Sequence, residues 1–237
     1  MGYHSFYLYT DPLYLIVVIV SLVLMLGAQL LVKGNFSKYS KISNSRGLTG
    51  ADAARRVLEY HGVYNVDIQP VSGNLTDHYD PRTNVIRLSE SVYNSNSIAA
   101  VGIAAHEAGH AVQHAQNYVP VKIRTAIIPF ANYGPTVGII LMLVGVLINM
   151  FNVIVVGLVL FAATFIFQLV TLPVEFNASR RAIQTIGEAN LLDGDELSGA
   201  KRVLTAAALT YVAAMLQSLL TLLYYALRFL GRNNRSR

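Results

Sequence analysis

Residues 13–32 read LYLIVVIVSLVLMLGAQLLV, twenty positions without a charge. About 20 apolar residues are what a helix needs to span the hydrocarbon core of a bilayer, so this stretch decides the class: a membrane protein. A secretory signal would need basic residues ahead of a shorter apolar core. The residues before this run hold Asp11 and no Lys or Arg. The run is therefore expected to be an uncleaved anchor with its N-terminus outside. Lys33, Lys38, Lys41 and Arg46 follow at once, and the positive-inside rule assigns them to the cytoplasm.

Composition agrees. Of 237 residues 54% are hydrophobic and 13% charged, against about 25% charged in soluble domains. The net charge of +5 could suggest nucleic acid on a soluble protein. Here the basic residues flank apolar runs, so the expected partner is the lipid bilayer and not nucleic acid. Cysteine is absent, which excludes a disulfide framework, a zinc ribbon and a cysteine nucleophile.

Three more apolar runs follow, at about 126–148, 153–173 and 204–227. The first two form a hairpin whose uncharged link, Asn149-Met150-Phe151-Asn152, suits a short external turn. Pro129 and Pro135 predict a kink or a non-helical segment in its first limb. The last run ends in Arg228, Arg232, Arg235 and Arg237. Four crossings from an outside N-terminus would leave those arginines outside, against the positive-inside rule; four crossings are favoured because the first helix usually dominates.

Between the first two runs lies a polar stretch. Residues 33–124 carry ten of the eighteen basic residues. Thr49 with Asp52 reads as the start of a helix ending near His61, with Gly62 as its stop. Residues 66–71 and 84–88 read as short strands, and Asp80-Pro81-Arg82-Thr83-Asn84 as a turn. Ser97 is expected to cap a helix over about 98–116.

That last helix holds His106-Glu107-Ala108-Gly109-His110, a match to H-E-x-x-H. Histidines at i and i+4 share one helix face and can reach one metal ion, while the glutamate lies about 100° round, beside the ion. With six His and six Glu in the chain, a shuffled sequence would hold about 0.004 such matches. The competing reading, two histidines satisfied in a packed helix, must bury His, Glu and His within IAAHEAGHAV, where unpaired polar groups cost several kcal/mol.

Zinc catalysis needs a third protein ligand and an open position. The candidates are His114, Glu175 and Asp193. His114 stands about 12 Å along the axis from His106, which suits it better to lining the cleft. Glu175 opens the segment that returns from the hairpin, where Pro173 suits the first turn of a new helix, and it would share a face with Ser179. Asp193, in Leu191-Leu192-Asp193-Gly194, resembles the Asp-Gly signature of site-2 intramembrane proteases; its competing reading is the N-cap of a helix starting near Asp195 or Glu196. His78 and Tyr79 read as loop residues with a chance of touching substrate.

The strings LTGADAARRVLEYHGV, HYDPRTNVIRLSES, AAHEAGHAVQHA and LPVEFNASRRA occur in this order. Together they resemble the YugP-type neutral zinc metallopeptidases of bacterial membranes, a family related in layout to the HtpX and CAAX-prenyl proteases. The resemblance covers nearly the whole chain. It implies that His106, His110 and Glu175 bind one Zn²⁺ per chain and that Glu107 is the catalytic base, a gluzincin-like set. One departure stands out: the HtpX-type pattern has an Asp four residues after its glutamate, where this chain has Ser179. Ser179, Asn177 or a backbone carbonyl is expected to serve instead as partner of a ligand histidine.

The resulting expectation is a mainly α membrane protein: about four transmembrane helices plus a small α+β zincin-like cytoplasmic metallopeptidase domain. Its parts are an anchor (1–32), the zincin-like domain (33–124), a transmembrane hairpin (125–173), a helical segment with the third ligand (174–203), and a last transmembrane helix with its basic tail (204–237). The expected activity is hydrolysis of peptide bonds in membrane or membrane-proximal polypeptides through a Glu-activated zinc-bound water, at the cytoplasmic face of the bacterial plasma membrane. The alternatives are a site-2-type protease using Asp193 and a membrane scaffold with a structural metal site. Candidate substrate contacts are His78, Tyr79, Asn84, Arg87 and His114, with Arg180 and Tyr211 added as candidates for oxyanion stabilisation. The strand 84–88 is expected to be a free edge along which substrate lies.

Overall fold

The computed structural model describes residues 11–233; the expectations for residues 1–10 and for Arg235 and Arg237 lie outside them. The described chain is mainly helical: α1 (Pro12–Tyr39), α2 (Gly50–Tyr60), β1 (Asp67–Val71), β2 (His78–Asp80), β3 (Val85–Ser89), α3 (Glu90–Tyr93), α4 (Ile98–Ala115), α5 (Val119–Leu147), α6 (Phe151–Glu188) and α7 (Gly194–Asn233). Of the described helices, α1, α5, α6 and α7 are long and apolar enough to cross a membrane. They divide between two compact units.

The first unit takes α1 up to Gly27, Ile123–Thr171, and α7 from Thr210. Its large side chains face outward: Leu15, Ile16, Ile19 and Val23 on α1 are exposed, as are Ile140 on α5 and Val159 on α6. Inside, glycine lets backbones meet. A Cβ at Gly138 would stand 2.6 Å from the Gly157 carbonyl oxygen, and one at Gly134 would stand 2.7 Å from that of Leu160. Small residues at such crossings are how helices pack where the surroundings are as apolar as the side chains. α5 stays helical through Pro129 and Pro135, so of the two expected outcomes the non-helical segment does not occur. A proline releases one carbonyl and crowds one turn, which a long packed helix absorbs. At the start of α1, Asp11 accepts a hydrogen bond from Tyr224 (3.2 Å) and pairs with Arg228 (3.4 Å). The start of α1 and the end of α7 thus share one end of the unit, and Arg228 is neutralised there.

The second unit, Ala28–Lys122 with Leu172–Leu209, buries its apolar residues. Ala53, Ala54 and Val57 of α2, Ile86 and Leu88 of β3, and Val101, Ala104, Ala105 and Ala108 of α4 form one core with Ala182 and Ile186 of α6. α2 opens with a capping box: Thr49 Oγ1 accepts from Asp52 N, and the Asp52 carboxylate accepts from Thr49 N. It ends before Gly62, whose φ of +68° favours glycine. α4 is capped by Ser97, which accepts from Ala100 N.

The sheet corrects two expectations. Residues 78–80, read as loop, form β2, so the order is β1-β3-β2 with β3 parallel to β1 and antiparallel to β2. The strand expected at 84–88 is therefore central. Both its edges are paired and Val85, Ile86, Leu88 and Ser89 are buried, so no substrate can add to it. Asn84 precedes the strand at φ +56°. A three-residue strand carries too little alternation to be seen in sequence; it exists because β3 offers a partner.

Candidate metal centre

α4 presents His106 and His110 one turn apart, their rings edge-to-face with centroids 4.7 Å apart. Gly109, between them in the motif, lets α6 approach: a Cβ there would stand 2.8 Å from the carbonyl oxygen of Ala178. That approach brings in Glu175, 2% exposed. Its Oε2 lies 3.3 Å from His106 Nε2 and 3.4 Å from His110 Nε2. Contrary to expectation, Pro173 does not open a new helix here. It sits inside α6, so Glu175 is held mid-helix, where backbone rigidity fixes it better than a frayed first turn would.

Among the described residues, His106, His110 and Glu175 form a group able to hold a metal ion, with donor atoms all within 4.8 Å. The fit to zinc can be tested on geometry. Bonds of about 2.0–2.1 Å at tetrahedral angles place donors about 3.3–3.4 Å apart, the separation seen between each imidazole and the carboxylate. The other ring nitrogens are engaged as a ligand set requires: His106 Nδ1 meets Ser179 Oγ at 3.1 Å and His110 Nδ1 meets Gln113 Oε1 at 3.0 Å. Two imidazole Nε2 atoms and a carboxylate oxygen converging on one point are satisfied when a metal ion stands between them. Without a metal, a proton serves. Burial alone would lower the pKa of His110, but the contact with Glu175 outweighs it and leaves the pKa raised.

Glu107 lies beside this group, half-buried, and its Oε2 accepts a 3.0 Å hydrogen bond from the backbone N–H of Tyr79 on β2. The Tyr79 hydroxyl contacts Asn84 Oδ1 (2.7 Å) and His114 Nδ1 (3.1 Å). His114 is thus beside the metal group and not in it. His78 is exposed, with Nδ1 on Thr76 O. Arg87 pairs with Asp80, and the Asn84 amide donates to Asn65 O. Arg180 is exposed on α6, and Tyr211 belongs to the other unit. Asp193 stands just before α7, where its backbone N–H meets Glu196 Oε2 and its carboxylate accepts from Ser45 and pairs with Arg46. Its backbone carbonyl accepts from Leu197 N in the first turn of α7, and it takes no part in the metal group.

Sequence reasoning missed Gln113 and the β2 backbone. Gln113 had a signal: at i+3 from His110 and i+7 from His106 it shares their face of α4, yet a glutamine on a helix reads as solvent-facing.

With this geometry in view, comparison with known proteins is decisive. Residues 14–230 match the model of a family described as "Putative neutral zinc metallopeptidase". The chain belongs to this family. It is 49% identical over 219 residues to the "Putative membrane protease YugP" of Bacillus subtilis (strain 168), covering 92% of this chain and 97% of that protein. No solved structure matches. The family implies zinc, and the relative's description together with four apolar helices marks a multi-pass membrane protein of the protease class.

Proposed function

We propose that this chain is a gluzincin-like endopeptidase that cuts membrane or membrane-proximal polypeptides, with His106, His110 and Glu175 holding one Zn²⁺ per chain and Glu107 as general base. The observation that carries the reading is the convergence of Glu175 on both Nε2 atoms at tetrahedral donor spacing. Zinc held there would supply Lewis acidity, lowering the pKa of water and polarising a carbonyl. Glu107, oriented by the Tyr79 N–H, takes a proton from the attacking water and returns it to the leaving amine. Tyr79 and His114, joined through the tyrosine hydroxyl on the turn of α4 after His110, are the proposed substrate contacts. The packing of the small sheet and α2 on the H-E-x-x-H helix supports a zincin-like reading of residues 33–124. The segments 1–32, 125–173 and 204–237 then serve as membrane crossings, and 174–203 supplies the third ligand.

The active site is proposed to face the cytoplasm of a bacterial cell. Fourteen of the eighteen basic residues lie in 33–124 and 175–203, which supports that side. Single cysteines at positions 45 and 190 should both resist an impermeant maleimide in intact cells; labelling of either from outside contradicts the assignment.

The activity is tested with Glu107→Gln in the purified full chain. Zinc content should be unchanged while hydrolysis of a fluorogenic peptide falls about 10²–10⁴-fold. Absence of zinc-dependent hydrolysis by the parent would favour the scaffold reading, and equal hydrolysis by parent and variant would contradict the role of Glu107.

A further inference from the structure

Gln113 is completely buried, and an amide in that position is costly unless every polar atom is paired. Its Nε2 meets Val174 O at 2.8 Å and Asn177 Oδ1 at 3.0 Å, while its Oε1 faces His110 Nδ1. The polarity of this chain of contacts is forced. A backbone carbonyl can only accept, so the Gln113 atom beside Val174 O is the NH₂ group. Arg181 can only donate, and its Nε gives a 2.7 Å hydrogen bond to Asn177 Oδ1, so the Asn177 atom turned toward Gln113 is also an acceptor. Both constraints leave Gln113 Oε1 for His110. Oε1 can only accept, so His110 Nδ1 must carry the proton, which leaves Nε2 as the nitrogen whose lone pair a metal ion shared with Glu175 would take.

From this we infer that Gln113 is a positioning residue that locks His110 in the Nδ1–H tautomer, and that the lock is operated by the segment of α6 bearing the third ligand. Val174 and Asn177 flank Glu175 in sequence. The contacts that orient Gln113 therefore also fix the height of Glu175 against α4, and Ser179 does the same for His106 from the next turn. Docking of one short stretch of α6 delivers the carboxylate and sets both imidazoles together. This rests on the zinc reading above. It adds to that reading an outer partner on each helix that replaces the aspartate the related pattern would supply.

The test is zinc affinity of the full chain in detergent, measured by competition with a chromophoric chelator alongside thermal melts. Gln113→Met fills a similar volume but cannot accept from Nδ1–H, and should bind zinc about 10–100-fold more weakly. Gln113→Glu, kept protonated by burial against two acceptors, donates to Val174 O and keeps a carbonyl acceptor for Nδ1–H, and should bind at least about tenfold more tightly than Gln113→Met. Should Gln113→Met fail to fold, Asn177→Leu, which removes one of the two acceptors that orient the amide, should weaken zinc several-fold. A Gln113→Met affinity equal to the parent's, a Gln113→Glu affinity no better than that of Gln113→Met, or an unchanged Asn177→Leu would overturn the lock. Failure of the zinc reading looks different: the parent itself would hold no zinc, or His110→Ala would bind it as the parent does.

Discussion

Along α1, Leu15, Ile16, Ile19 and Val23 face outward, whereas along α4, Val101, Ala104, Ala105 and Ala108 are buried. The same class of side chain is thus spent in opposite directions in the two units. In the first, the surroundings are apolar, burial of leucine brings little, and cohesion comes from backbone contact at Gly134, Gly138 and Gly157. In the second, water drives Val, Ile and Ala inward. That core is strong enough to carry buried polar groups, Gln113 and Glu175, on its flank. The difference teaches why the proposed hydrolytic site would be built at residues 106–110 and 175 and not among the long apolar helices: ligands and their outer partners need a frame in which polar groups are individually satisfied.

The sharpest way to break this comparison is to place a charge on an outward position of each unit. Ile19, 59% exposed, and Tyr64, 79% exposed, look alike on a surface map. Ile19→Arg should cost about 2.5–3.5 kcal/mol and reduce the amount of chain recovered from membranes. Tyr64→Arg should stay within about 0.5 kcal/mol. Similar recovery and melting of the two variants would show that the first unit does not sit in lipid.

Next in size come the glycine contacts. Gly138→Val and Gly109→Val both force a Cβ against a carbonyl oxygen, and each should destabilise by about 1–3 kcal/mol. They should part in zinc affinity, with Gly109→Val losing metal because it pushes α6 off α4 and Gly138→Val keeping it. If both lose zinc alike, the metal site depends on the packing of the apolar unit as well.

The smallest effect is one of pH, in protein stripped of metal by a chelator. The pKa of His110 is raised in the fold, so its contribution to stability is fully present below its unfolded value of about 6.5 and is lost as pH climbs through the folded value. The Tm of the stripped chain should therefore fall as pH is raised from about 6 upward. Glu175→Gln, which removes the charge responsible, should flatten that slope, and an unchanged slope would refute the assignment.

Much of this was legible in residues. The four apolar runs, the Thr49–Asp52 cap and the Ser97 cap each depend on neighbours within a few positions, and H-E-x-x-H is read from helical spacing alone. Ser179 could be named, beside Asn177 and a backbone carbonyl, only because the HtpX-type pattern carries an Asp at its place. What escaped depends on distant segments. β2 is made by β3 and by Glu107, Pro173 is tolerated because α6 continues on both sides of it, and Gln113 has meaning only once Val174 and Asn177 face it. The edge-strand expectation failed for the same reason, since a strand's neighbours are not written in its own five residues.

The central claim is that one zinc ion joins α4 to α6 through His106, His110 and Glu175. Anomalous diffraction at the zinc edge, on crystals of the full chain, addresses it most directly. A single peak about 2.0–2.2 Å from both Nε2 atoms and from a Glu175 carboxylate oxygen is the expected result. A peak at Asp193, or a zinc bound by the two histidines with Glu175 turned away, would contradict it.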